Sequence, residues 1–178
     1  CKKYLPHRYH PEPFPTDGYV LPYCNSLFES ETLAQDVYLE LLNQAKALAP
    51  EIVRWRRHIH ENPEVSAVLP NTCAYVTAEL RKMGYEPYEV GGGVVAMLDG
   101  QPDGKVILLR ADMDALPMAE ESGEPFASKN PHAAHTCGHD THTAMLLGAA
   151  KLLMDNKEKV KGRVKFMFQP GEEGYNGC

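Results

Sequence analysis

Apolar residues recur along this chain at two different periods, and the changes of period divide it into elements. Leu33, Val37, Leu41 and Leu48 recur near helical spacing, and Leu42 and Ala45 widen the stripe, so a helix is predicted from Ser30-Glu31. Pro50 restarts the chain, and residues 52–60 read as a second helical segment. Its end, Arg56-Arg57-His58-Ile59-His60-Glu61-Asn62-Pro63-Glu64, is dense in charge and closes before Pro63. That charge fits either a solvated helix face or a support for a site elsewhere. Asn71 is placed to cap a third helix through Met83, with Gly84 as its stop.

The period then shortens. Gly91-Gly92-Gly93 leads into an apolar strand, Val94 to Leu98, and no phosphate-binding signature follows the glycines. Asp99-Gly100 and Asp103-Gly104 mark a tight connection. Lys105 to Arg110 is a continuous apolar run, as in a sheet buried on both faces. A helix over Thr141 to Met154 and a strand over Arg163 to Phe168 complete a strand–helix–strand unit, which predicts a right-handed crossover and a parallel pair. The expected fold class is therefore α/β, a mostly parallel twisted sheet flanked by helices. Residues 111–139 form a long polar loop, and long loops in compact domains are usually functional. Residues 1–28 carry five prolines without either period, so they are expected to be an irregular arm, with 29–178 as the domain.

Composition narrows the function classes. Apolar residues make up 43% and charged residues 24%, which is globular, and 178 residues suffice for one core. The net charge of −6, with scattered basic residues, argues against a nucleic-acid partner. No apolar run approaches the ~20 residues of a membrane span, and the first residues lack the apolar centre of an export signal. Cys1, Cys24, Cys73, Cys137 and Cys178 are odd in number and widely spaced, so reduced thiols and a cytoplasmic protein are expected.

Three polar clusters then stand out. Asp112-Met113-Asp114 follows one apolar strand, and Gly171-Glu172-Glu173-Gly174 follows another. Ala133 to His142, with His135, Cys137, His139, Asp140 and His142, opens the helix that joins those strands. In an open α/β sheet, ligands bind beyond the carboxyl ends of the strands, so all three clusters are expected on one rim. A thiolate and an imidazole two residues apart suit zinc or a similar transition metal. Gly138 between them permits the unusual backbone angle that turns both inward. Adjacent glutamates suit a division of labour, one on the metal and one free as a base. Asp114 or Asp112 is suited to orient a ligand histidine. Other readings stay open at this point. Asp140 or Thr141 fits a helix cap, His135 and His142 fit a polar surface, and Cys137–His139 fits a nucleophilic pair, which would leave the glutamates unused.

Leu109 to Pro117, His135 to His142 and Phe168 to Gly174 resemble the metal-dependent amidohydrolases. That family includes hippurate hydrolases, N-acyl-amino-acid aminoacylases and indoleacetyl-amino-acid hydrolases, within the carboxypeptidase-G-type metallopeptidase superfamily. Arg56 to Glu64 and Gly93 to Ala96 match its early motifs, so the resemblance covers residues 50–178. Leu69-Pro70 departs from the family where an acidic residue is usual, and Ala134 stands where methionine is usual.

The resemblance implies two divalent ions, manganese or zinc, with cobalt or nickel as further options. It implies Cys137, His139 and Glu173 as metal ligands, Glu172 as general base and Asp114 as supporting acid. The reaction implied is hydrolysis of the amide of a small N-acyl or N-aroyl amino acid or dipeptide-like substrate. It also implies a parent of roughly twice this length that forms a homodimer. The additional part would hold two further histidine ligands and a smaller inserted domain. On that reading the chain is the N-terminal portion of a larger enzyme, with a catalytically incompetent metal-binding remnant as the alternative.

Overall fold

The structure, a computed structural model, describes residues 31–174. The expected N-terminal arm at 1–28 lies outside the described residues. The chain divides into two compact units, Cys1–Leu42 and Asn43–Cys178, and the architecture below belongs to the second. Helix α1 (Glu31–Ala47) crosses that boundary. It is followed by α2 (Ala49–Glu61), α3 (Pro70–Lys82), β1 (Tyr88–Val90), β2 (Gly93–Asp99), β3 (Gln101–Asp112), α4 (His139–Asp155) and β4 (Lys161–Gln169). A single turn of tighter helix, Lys157–Lys159, connects α4 to β4. None of the described helices is long and apolar enough to cross a membrane.

The α/β class holds, with helices packed on the sheet. The sheet itself is mixed, where a mostly parallel one was expected. Its order is β1-β2-β4-β3. β3 and β4 form the predicted parallel pair around α4, with Leu109 opposite Phe166 and Asp112 opposite Gln169. β2 runs antiparallel to β4, and β1 antiparallel to β2. The glycine run is the cause at one edge: Val90 pairs with Gly93, leaving Gly91-Gly92 as a two-residue hairpin with φ of +58° and +80°. Two positive φ angles make the tight turn whose twist matches antiparallel strands. A side chain at Gly92 would start 2.5 Å from the Ala67 carbonyl oxygen, so nothing larger fits there.

β3 departs from the expectation of a strand buried on both faces. It lies at the edge of the described sheet, and Val106, Ile107 and Leu108 are 65%, 55% and 52% exposed. An apolar run shows that a strand forms, but sheet order decides what covers it. Such an edge is an aggregation hazard. Asp103-Gly104, expected in a connection, lies instead within β3, where the register with β4 shifts between Gln101 and Val106. Asn71 is not a cap either. Pro70 opens α3, and the Glu64 carboxylate accepts from the Asn71 and Thr72 amides at 3.2 and 2.7 Å. Gly84 does follow the C-terminus, with φ of +94°.

The core gathers Trp55, Val76, Leu80, Val94, Leu98, Leu147, Phe166 and Phe168. α2 packs on α4, and α3 packs on β2 and α4. Every second residue of β4, from Gly162 through Val164 and Phe166 to Phe168, is buried, so the carboxyl end of β4 is held to the core one residue before the site begins. Trp55 donates its indole N–H to buried Glu79 at 2.8 Å.

Candidate metal centre

Three chain segments meet where β3 and β4 end. β3 ends at Asp112 and is prolonged by a bond from the Met113 amide to the Gln169 carbonyl at 2.9 Å. The Thr143 hydroxyl on α4 donates to the Asp112 carbonyl at 2.8 Å, tying the helix to the same end. α4 begins at His139, two residues earlier than expected, with Gly138 before it at φ +106° and ψ +15°. The left-handed angle expected of Gly138 is therefore present. It lets the chain enter the helix directly from Cys137.

Asp114 is the organising residue. The residue is 1% exposed. One carboxylate oxygen accepts from the Glu172 amide at 3.1 Å, the other from the Glu173 amide at 2.8 Å. Its backbone carbonyl accepts from His139 Nδ1 at 2.9 Å. A carbonyl only accepts, so Nδ1 donates there, and in the neutral imidazole it is Nε2 that keeps the lone pair a metal would take. That nitrogen faces Glu172 at 3.6 Å and Glu173 at 4.0 Å. Asp114 thus fixes the loop that carries the glutamates and the tautomer of the histidine, without facing the open side of the site.

The Cys137 sulfur, a His139 ring nitrogen and a Glu173 carboxylate oxygen all lie within 4.8 Å of one another. Cys137 is exposed, His139 buried and Glu173 half-buried. A hydrogen bond to Glu173, then burial and the nearby carboxylates, push the Cys137 thiol above its ordinary range. A thiol held protonated is a poor nucleophile, whereas a cation at the same spot would favour the thiolate. The donor set of sulfur, imidazole nitrogen and carboxylate oxygen fits a divalent transition metal.

A second group, Asp112, His139 and His142, is equally close-set. His142, left open as a surface residue, is 51% exposed along its side chain, 3.6 Å from Asp112 and stacked on His139 with ring centroids 5.5 Å apart. Asp112 also pairs with Arg110 at 2.5 Å, so part of its charge is already matched. His135 is not a surface residue. It is 6% exposed, neither ring nitrogen has a partner among the described residues, and burial pushes its imidazole down to about 4.

Neither Asp140 nor Thr141 caps α4, whose N-cap residue is Gly138 with no side-chain hydrogen bond. Asp140 is engaged elsewhere. It is fully buried, and one of its oxygens accepts from Arg56 Nε and meets His60 Nδ1, both at 2.7 Å. His60 Nε2 in turn meets Glu120 at 3.0 Å. Arg56, His60 and Glu120 were not singled out individually from the sequence. The signals were the charge density of residues 56–64, which also match an early motif of the resembled family, and, for Glu120, the long polar loop at 111–139. Burial alone would raise the Glu120 carboxyl, but hydrogen bonds from Ser122, His60 and the Ser128 amide outweigh it and bring it down to about 2. A carboxyl whose folded value lies below its unfolded value of ~4.3 contributes stability above that pH and loses it as pH falls toward about 2. Chemical denaturation across this window is expected to show a steeper acid loss in the native chain than in Glu120→Gln.

Residues 108–178 match the model of peptidase family M20/M25/M40. Thermostable carboxypeptidase 2 of Saccharolobus solfataricus is 46% identical over 141 residues, 78% of this chain and 36% of that protein. The N-acyl-L-amino acid amidohydrolase of Geobacillus stearothermophilus is 44% identical over 131 residues, 71% of this chain and 35% of that protein. The chain belongs to this family. Among solved structures, the YXEP protein of Bacillus subtilis, described as a dinuclear metal-binding peptidase of the M20 family, superposes with a TM-score of 0.71 at 41% identity. The match covers 74% of this chain and 38% of that one. The M20 chain thus spans about a third of the length of the curated relatives it matches, rather than the half expected.

Proposed function

We propose that these residues form part of the catalytic rim of a metal-dependent amidohydrolase acting on small N-acyl or N-aroyl amino acids. The observation that carries the reading is the convergence of Cys137, His139 and Glu173 within 4.8 Å, with His139 Nδ1 satisfied by Asp114 so that Nε2 is available. Cys137, His139 and Glu173 would hold a divalent ion, zinc or manganese, and Asp112 and His142 lie beside it. The family resemblance adds a second ion with histidine ligands outside these 178 residues, and a homodimeric parent. The name of the Geobacillus relative supports the amide substrate, and the description of the Bacillus structure supports the pair of metals. Residues 29–178 are on this reading the N-terminal portion of the catalytic domain, and the cytoplasm remains its proposed place.

A bound ion would polarise the amide carbonyl and acidify a water. The protein's own groups do the rest. Glu172, 46% exposed along its side chain, stands at the open side, while Glu173 is turned further in at 24%. Glu172 takes one proton from the attacking water as oxygen joins the acyl carbon. The same proton passes to the amine nitrogen as the C–N bond breaks. Asp114 keeps both glutamate amides and the histidine ring in place throughout.

The test is metal titration combined with hydrolysis of N-acetyl and N-benzoyl amino acids, with and without chelator. In the full-length parent, turnover lost to chelator and restored by manganese or zinc is expected. Cys137→Ala is expected to weaken metal binding about 100-fold, since ~10–16 kcal/mol shared among four ligands is roughly 3 kcal/mol each. Turnover that survives chelation but vanishes in Cys137→Ser would replace this reading with thiol chemistry.

A further inference from the structure

The charged segment at the end of α2 does more than close a helix. His60 is 6% exposed, and both its ring nitrogens are engaged: Nδ1 with Asp140 at 2.7 Å, Nε2 with Glu120 at 3.0 Å. Asp140 is the second residue of α4, next to His139. Glu120 belongs to the loop of residues 113–138 that ends at Cys137-Gly138. One imidazole therefore joins three elements: α2, the first turn of α4, and the loop that delivers the thiol.

The neighbours of His60 act in the same sense. Arg56 Nε reaches the same Asp140 oxygen at 2.7 Å. Phe126, from the middle of the loop, meets His60 edge-on at 5.6 Å and lies under the guanidinium groups of Arg56 and Arg57 at 4.9 and 4.7 Å. The Lys129 amide donates to the Glu61 carbonyl at 2.8 Å, and the Ala115 amide to the Glu64 carbonyl at 2.8 Å. Residues 60–64 are thus a post to which the loop is fastened near its beginning, at Ala115 and Glu120, and just past its middle, at Phe126 and Lys129. A long loop is otherwise free to move, and a metal ligand at its end inherits that freedom.

We infer that His60 is a positioning residue for the metal centre: by bridging Asp140 and Glu120 it holds Cys137 and His139 in mutual register. The inference rests on the metal reading above. Groups that orient ligands from behind typically change metal affinity ~10–100-fold when removed. A residue with a purely structural role would lower stability and leave the bound geometry alone.

Cobalt(II) separates the two, because its thiolate charge-transfer absorption and its d–d bands report ligand identity and geometry. The native chain is expected to show a Cys137-dependent thiolate band that is absent in Cys137→Ala. His60→Phe keeps a ring of similar size and removes both polar contacts. It is expected to weaken cobalt binding ~10–100-fold and to shift or diminish that band. His60→Gln, which retains an amide donor, is expected to recover part of both. Should His60→Phe fail to fold, Glu120→Gln, which alters only the loop side of the bridge, is expected to weaken binding several-fold with the same spectral change. A lowered melting temperature with unchanged cobalt affinity and spectrum would overturn the inference and leave the metal reading standing. No thiolate band in the native chain would overturn the metal reading, and this inference with it.

Discussion

Glu172→Gln is expected to lower amide hydrolysis about 10²–10⁴-fold while leaving metal content unchanged, the range usual for losing a positioned general base. The substitution keeps size and shape and removes only the ability to take a proton. Glu172 sits 3.6 Å from His139 Nε2, but it is the more exposed glutamate and is not a member of the Cys137–His139–Glu173 group. The backbone bond from its amide to Asp114 does not involve the side chain, so the loop should hold. The assay is kcat/KM alongside metal per chain. A fall in metal content parallel to activity would move Glu172 into the ligand set and Glu173 out of it.

Asp114→Ala is the largest expected loss of stability, on the order of 2–6 kcal/mol. Its carboxylate is the acceptor for two amides, at 3.1 and 2.8 Å, in a buried position. Leaving a buried donor without a partner costs ~1–3 kcal/mol, and here there are two. Against a whole-domain stability of ~5–15 kcal/mol, that is a large share. Asp114→Asn retains one oxygen and turns an NH₂ group toward the other amide, so roughly half the loss is expected. Urea denaturation of the metal-free chains measures both. A change below ~0.5 kcal/mol in Asp114→Ala would mean that the glutamate loop is held by something else.

The parts of this fold that were legible in the sequence were those set by local chemistry. The parallel pair around α4, the left-handed Gly138, the glycine turn into β2 and the stop at Gly84 each follow from a short pattern with a steric cause, whereas β1, the short strand that makes the turn a hairpin, was not expected. So does the gathering of Asp114, Cys137, His139 and Glu173, because strand ends in one sheet share a rim. What stayed hidden depends on partners distant in the chain. The apolar run at Val106 to Leu108 looks like a buried strand, and only the sheet order puts it at an edge. Asn71 has the composition of a cap, but Glu64 reaches the same amides first. Asp140 looks like an ordinary helix-start carboxylate until Arg56 and His60, some eighty residues earlier, are found against it. Local patterns name the element, and long-range contacts decide which polar group is structural and which is free to act.

X-ray absorption of the zinc-loaded chain tests the central claim most directly. The account predicts one sulfur scatterer near ~2.3 Å, with the remaining near neighbours nitrogen or oxygen, and loss of the sulfur in Cys137→Ala. A zinc shell of nitrogen and oxygen alone, unchanged in that variant, would contradict it.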